Sequence, residues 1–116
     1  MIKFAARQLR KSVVLDLSGE FTIYEIPKIR DIVKILREKE LKHFVFNLEK
    51  VEFIDSSGIG FLINVSKDLQ KNGGTSGVVI VPGQVLEAVR MTRSENLLRL
   101  FSTPDSAAEA VEGLPT

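Results

Sequence analysis

Two serines side by side behind an aspartate, Asp55-Ser56-Ser57-Gly58, are the residues of this chain best placed to do chemistry. The alternating apolar run His43-Phe44-Val45-Phe46-Asn47-Leu48 precedes them, and a pattern suited to a helix follows. A strand that feeds serines into the first turn of a helix displays hydroxyls among free backbone N–H groups and a partial positive charge. Such a place accommodates an anion. Other chemistries fit poorly. The knot is not a G-x-S-x-G elbow, because Ile54-Asp55 precede Ser56. The single histidine, His43, opens a strand about a dozen residues before the serines. A triad of Ser56, His43 and Asp55 or Asp16 would need groups from opposite ends of a sheet to meet. With no cysteine in the chain, disulfides, thiol catalysis and thiolate metal sites are excluded. No cluster of metal ligands stands out, and no cofactor is expected. Gly58-Ile59-Gly60 is too short for a dinucleotide fingerprint, and no P-loop lysine follows it.

The elements that must hold the knot can be read from periodicity. Residues 2–8 and 12–18 form two strands joined by a turn at Arg10-Lys11, with Gly19-Glu20 ending the second. A first helix covers about 22–40, because Ile29, Ile32, Val33 and Leu36 fall at i, i+3, i+4 and i+7. Thr22 and Glu25 have capping-box spacing, but Pro27 favours the first turn, so regular helix is placed from Tyr24 or Ile26. Residues 43–48 form a central strand, and 49–53 cross to the serines. Ser56 or Ser57 then caps a helix to about Asn72, which Gly73-Gly74 stops. The apolar run Gly77-Val78-Val79-Ile80-Val81 suits a strand buried on both faces. Pro82-Gly83 turns into a third helix, 84–92, with Val85, Leu86 and Val89 inward. A short strand covers 97–101. A last helix starts at Thr103 or Asp105, runs to about Glu112, and is ended by Gly113 and Pro115. The order β-β-α-β-α-β-α-β-α predicts a mixed α/β sheet.

The helix after the serines is apolar on more than one face. Ile59, Leu62, Ile63 and Leu69 face the sheet, whereas Ser57, Phe61 and Val65 form a separate i, i+4, i+8 row. That row is either a partner surface or is covered by the third helix and the loop before it. Gly58 and Gly60 each cost roughly 1 kcal/mol against alanine in a helix. They permit close approach by another backbone, from a partner or from within the fold.

Composition narrows the partners. The 116 residues suit one domain, 1–116. The net charge is +1 with no basic block, which argues against direct nucleic-acid binding. No apolar run approaches the roughly 20 residues of a membrane span. Met1-Ile2-Lys3-Phe4 does not open a signal peptide, so a cytoplasmic protein without membrane contact is expected.

The residues also carry a family resemblance. Ser18-Gly19-Glu20-Phe21-Thr22, Phe44-Val45-Phe46-Asn47-Leu48, Val51-Glu52-Phe53-Ile54-Asp55-Ser56-Ser57-Gly58-Ile59-Gly60 and Asn72-Gly73-Gly74 stand in the order found in bacterial STAS-domain proteins. The chain resembles their anti-sigma factor antagonists. The resemblance implies a STAS-like sheet of about five strands, with about four helices mainly on one side. It implies a non-enzymatic switch, whose unphosphorylated form binds an anti-sigma factor that is also a serine kinase and so releases the sigma factor. Ser56, with Ser57 as second choice, would be the phosphoacceptor, and a PP2C-type phosphatase would restore it. Glu20, Thr22, Asp55, Ser56, Ser57, Gly58, Gly60, Phe61 and Val65 would meet the partner. Asp55 would orient the hydroxyl or help hold the partner's magnesium, or else act as a cap or turn residue. Two departures are visible: Phe21-Thr22 where the family often has Leu-Asp, and no Gly-Leu within 91–97. A STAS-like accessory subunit of a transporter or signalling scaffold, without phosphorylation, is the alternative.

Overall fold

A computed structural model describes residues 2–113. Strands β1 (Ile2–Leu9), β2 (Ser12–Phe21), β3 (His43–Ile54), β4 (Thr75–Val79) and β5 (Leu100–Phe101) lie in sequential order across one sheet. Only β1 is antiparallel to its neighbour; the other three pairings are parallel. Helices α1 (Ile26–Glu38), α2 (Ser56–Lys71) and α3 (Gln84–Met91) cross between the parallel strands, and α4 (Pro104–Val111) follows β5. Right-handed crossovers between strands that advance in one direction place their helices on one face. Two separate cores follow from that. The larger joins Leu15, Phe44, Phe46 and Val78 to Ile29, Val33, Leu62 and Val89 of α1–α3. The smaller joins Val14, Val45 and Val79, pointing the other way, to Ala107, Ala108 and Val111 of α4. Alternation along β2, β3 and β4 thus divides each strand between two helical layers.

Several boundaries move relative to the sequence reading. β2 does not end at Gly19-Glu20, and β3 does not stop at Leu48 but continues through the residues expected to cross to the serines. The pairing of β2 with β3 slips between Asp16 and Ser18, and again between Gly19 and Glu20. Gly19 takes φ +99° there, a conformation glycine adopts without penalty. Each slip resets the inward phase, so that Leu48, Val51 and Ile54 all reach the same core. β4 starts at Thr75 rather than Gly77, and β5 shrinks to two residues. A 3-10 turn, Ile23–Glu25, precedes α1, and Thr22 makes no side-chain capping bond to it. Gly113, at φ +75°, follows α4, whereas Pro115 lies outside the described residues.

Two ties hold the rim of the sheet. The Glu112 carboxylate, just past α4, accepts from Ser12 Oγ at 2.7 Å, Lys11 N at 3.1 Å and Arg10 Nε at 3.3 Å. Burial raises its pKa, but those donors and the Arg10 charge outweigh burial, leaving it below the usual carboxylate value. At the open edge, Lys28 Nζ donates to the Ile2 carbonyl at 3.2 Å and sits over the Phe4 ring.

Candidate partner-binding site

The serine knot lies where β3 gives way to α2, at the C-terminal end of the parallel strands. Neither serine caps the helix. Asp55 does: its extended backbone ends the strand, and its Oδ1 accepts from Gly58 N at 2.8 Å. Its Oδ2 accepts from Ile23 N at 3.1 Å, and its own N–H bonds Phe21 O at 3.3 Å. One carboxylate therefore fastens the first turn of α2 to the loop after β2. That arrangement supports the cap reading of Asp55, since both oxygens already take backbone donors. Among the described residues no group of three or more His, Cys, Asp or Glu side chains gathers to hold a metal ion.

With Asp55 at the N-cap, Ser56 becomes the first residue of α2, and its side chain is exposed. Ser57 is half-buried and turns toward α1. Gly58 is buried, and a Cβ there would lie 2.7 Å from Phe21 O and 2.8 Å from Ile54 Cγ1. Its close neighbour is thus the fold itself. Gly60 differs: nothing lies within 4 Å of where its Cβ would be.

Phe61 and Val65 are not covered by α3 or the loop before it, as one reading of the row had it. They face α1, and with Ser57 they line a trough between α1 and α2. The Phe61 ring packs 6.0 Å from that of Phe21. Glu20, exposed near the end of β2, pairs in register with Phe53, and Thr22 follows on the loop that Asp55 holds. Glu20, Thr22, Asp55, Ser56 and Ser57 are therefore drawn to one end of the molecule, and Ser57, Gly60, Phe61 and Val65 share the face of α2 toward α1. Gly58, expected to meet a partner, instead packs inward against Phe21 and Ile54.

Three contributors escaped the sequence. Tyr24 is 87% exposed and Ile23 56% exposed, both on the loop bound by Asp55. Both stand exposed on the loop next to Ser56 and Ser57. Gln84 is the third. Its Oε1 accepts from Ile54 N at 2.9 Å and its Nε2 donates to Ile54 O at 3.2 Å, so α3 clamps the strand one residue before the cap. Only Gln or Asn offers a donor and an acceptor in that fork, but its target was not visible from spacing. His43 lies at the far end of β3, where Nδ1 is 2.7 Å from Thr75 Oγ1. The geometry thus keeps the histidine away from both serines.

A family model for the STAS domain matches residues 3–107. The chain belongs to the STAS domain family. Among curated STAS relatives, the anti-sigma F factor antagonist of Lysinibacillus sphaericus is 24% identical over 106 residues, covering 90% of each chain. The anti-sigma-B factor antagonist of Staphylococcus aureus is 23% identical over 84 residues, or 72% of this STAS chain and 78% of its own. Among solved structures, an anti-sigma factor antagonist from Mycobacterium paratuberculosis superimposes with TM-score 0.86 at 23% identity, covering 97% of this chain and 95% of its own. SpoIIAA of Bacillus is similar in both its unphosphorylated and phosphorylated forms, with TM-scores 0.77 and 0.68 at 21% and 20% identity. Coverage is 98% of this chain and 100% of the other for the first form, and 94% and 99% for the second. A sulfate transporter family protein from Wolinella succinogenes shares the STAS fold at TM-score 0.72 and 19% identity, covering 91% of this chain and 88% of its own.

Proposed function

We propose that this STAS domain is an anti-sigma factor antagonist acting in the cytoplasm, switched by phosphorylation of Ser56. The observation that carries the proposal is the position of that side chain. It is exposed at the first residue of α2, beside a carboxylate whose two oxygens are engaged by backbone. Family membership and the antagonist relatives supply the partner class: an anti-sigma factor with serine kinase activity, opposed by a PP2C-type phosphatase. In the transfer, Ser56 Oγ attacks the γ-phosphorus of ATP, the bond to the bridging oxygen breaks, ADP leaves, and the hydroxyl proton passes to a base on the kinase.

The physics of the switch lies in the complex rather than in the fold. A phosphoserine carries roughly −1.5 to −2 charge at pH 7. The amide groups of the first turn tolerate it, so the free protein keeps its structure. Against a docked partner the same dianion loses water and meets surfaces shaped for a hydroxyl. Charges left unpaired at interfaces cost about 2–5 kcal/mol, and 3 kcal/mol weakens binding more than about a hundredfold.

The test uses intact mass after incubation with the cognate kinase and ATP. One phosphate is expected on the parent chain and none on Ser56→Ala, which still binds the partner. Ser56→Asp is expected to lose affinity with an unchanged circular dichroism spectrum. Labelling that persists in Ser56→Ala moves the acceptor to Ser57. The Wolinella neighbour gives a second reading some footing, that of an accessory subunit docking through α2 without phosphate transfer. No labelling by any cognate kinase, together with retained docking, selects that reading.

A further inference from the structure

The trough between α1 and α2 has a volume of about 1260 Å³ and opens along its length. Its base is apolar. Val33 and Val65 are nearly closed to solvent, at 3% and 9% exposure, and half-buried Ile26 and Phe61 extend the same strip. On the α1 wall stand Arg30 and Lys34, four residues apart and therefore on one helix face. Among the described residues neither has an acidic partner. Arg37, next on that wall, is already engaged by Asp68 of α2 at 2.6 Å, which bridges the trough at its far end. The near end opens at Ser57 and Gly60, one residue from Ser56.

We propose that this trough receives an amphipathic α-helix of the protein partner, its apolar stripe on Val33, Phe61 and Val65 and its acidic flank against Arg30 and Lys34. Size argues for a helix. Small-molecule sites occupy about 300–1,000 Å³ and enclose their ligand, whereas this space is larger and runs beside the 13 residues of α1. At about 1.5 Å per residue that wall is about 20 Å long, enough for more than three turns of a third helix. Docking an apolar helix face into a hydrophobic groove is a common recognition mode. The empty space over Gly60 lets the incoming backbone approach α2 closely. Charge selects the sign: Arg30 and Lys34 favour an acidic flank along the near part of the wall, Glu38 lies beyond them beside the Arg37–Asp68 bridge, and complementary charge fixes orientation. A helix seated from Asp68 toward Ser57 brings the rest of its protein over Ser56. Assigning the helix to the anti-sigma factor rests on the function proposed above; occupancy of the trough does not.

The experiment titrates the isotope-labelled protein with three 16-residue helical peptides that share one leucine stripe and carry Glu, Gln or Lys beside it. The Glu peptide is expected to shift the amides of Gly60, Phe61 and Val65, with affinity falling as salt rises. Reversing both cations (Arg30→Glu with Lys34→Glu), which are exposed and should leave the fold intact, is expected to weaken the Glu peptide roughly tenfold and to favour the Lys peptide. Equal response to all three peptides, shifts confined to other surfaces, or no shifts would overturn the proposal. Kinase labelling of Ser56 is followed in parallel. Labelling without peptide preference refutes the trough alone, and peptide preference without labelling supports the trough while refuting the switch.

Discussion

Replacing Gly58 by alanine sets two effects of known size against each other. Alanine in a helix is favoured over glycine by up to about 1 kcal/mol. At Gly58 the new methyl would sit 2.7 Å from the Phe21 carbonyl oxygen, 2.8 Å from Ile54 Cγ1 and 3.1 Å from Phe21 Cδ1. None of these can retreat cheaply. The Phe21 oxygen also accepts from Asp55 N at 3.3 Å, and the Phe21 and Ile54 side chains are 0% and 1% exposed within the main core. Overpacking of this kind costs about 1–3 kcal/mol. The net expectation is a loss of up to about 2 kcal/mol after the helical gain is subtracted. Gly60→Ala is the internal control, because its methyl meets nothing within 4 Å and only the gain remains. Urea titrations followed by far-UV circular dichroism should then separate the two alanine variants by about 1–3 kcal/mol, with unchanged slopes. If Gly58→Ala proves as stable as Gly60→Ala, the close contact with Phe21 is not what excludes a side chain there.

Three further outcomes are expected. Asp55→Ala removes the cap to Gly58 and the acceptor for Ile23, and should cost about 1–2 kcal/mol in urea titration, with Asp55→Asn intermediate. Gln84→Ala leaves the buried Ile54 amide without its partner and should cost about 1–3 kcal/mol; Gln84→Glu, which can still accept from that N–H, should recover part of the loss. Glu112 has a depressed pKa in the fold, so its contribution is present above its unfolded pKa and is lost as pH falls through the folded one. Glu112→Gln should therefore be less stable than the parent at neutral pH, and the gap should narrow as thermal melts are taken toward about pH 3.

Legibility of the sequence tracked the regularity of the backbone. α1–α3 showed their positions through helical spacing and α4 through its terminal residues, because inward positions on a helix recur at a fixed period. β3 was shortened because Glu49 and Lys50 are exposed where the alternation should have continued. Two pairing slips with β2, one beside Gly19, shift the phase, and no rule of period two anticipates a slip between strands that are distant in sequence. The serines were found, but the capping role went to the wrong residue. Asp55 supplies the cap while also reaching Ile23, a contact across 32 positions. The Ser57, Phe61 and Val65 row was visible as a row. Which neighbour it faced depended on how closely α1 lies to α2, which only the packed molecule settles.

Lys28 places its charged amine on the first carbonyl of the β1 margin and over the Phe4 ring. A neighbouring molecule trying to add a strand there would have to displace an ammonium group and rehydrate it before forming its first rung. This discourages pairing between copies of the sheet at the start of β1. The guarded carbonyl lies at the same end of the sheet as the serines, since Ile2 pairs with Gly19 near the end of β2.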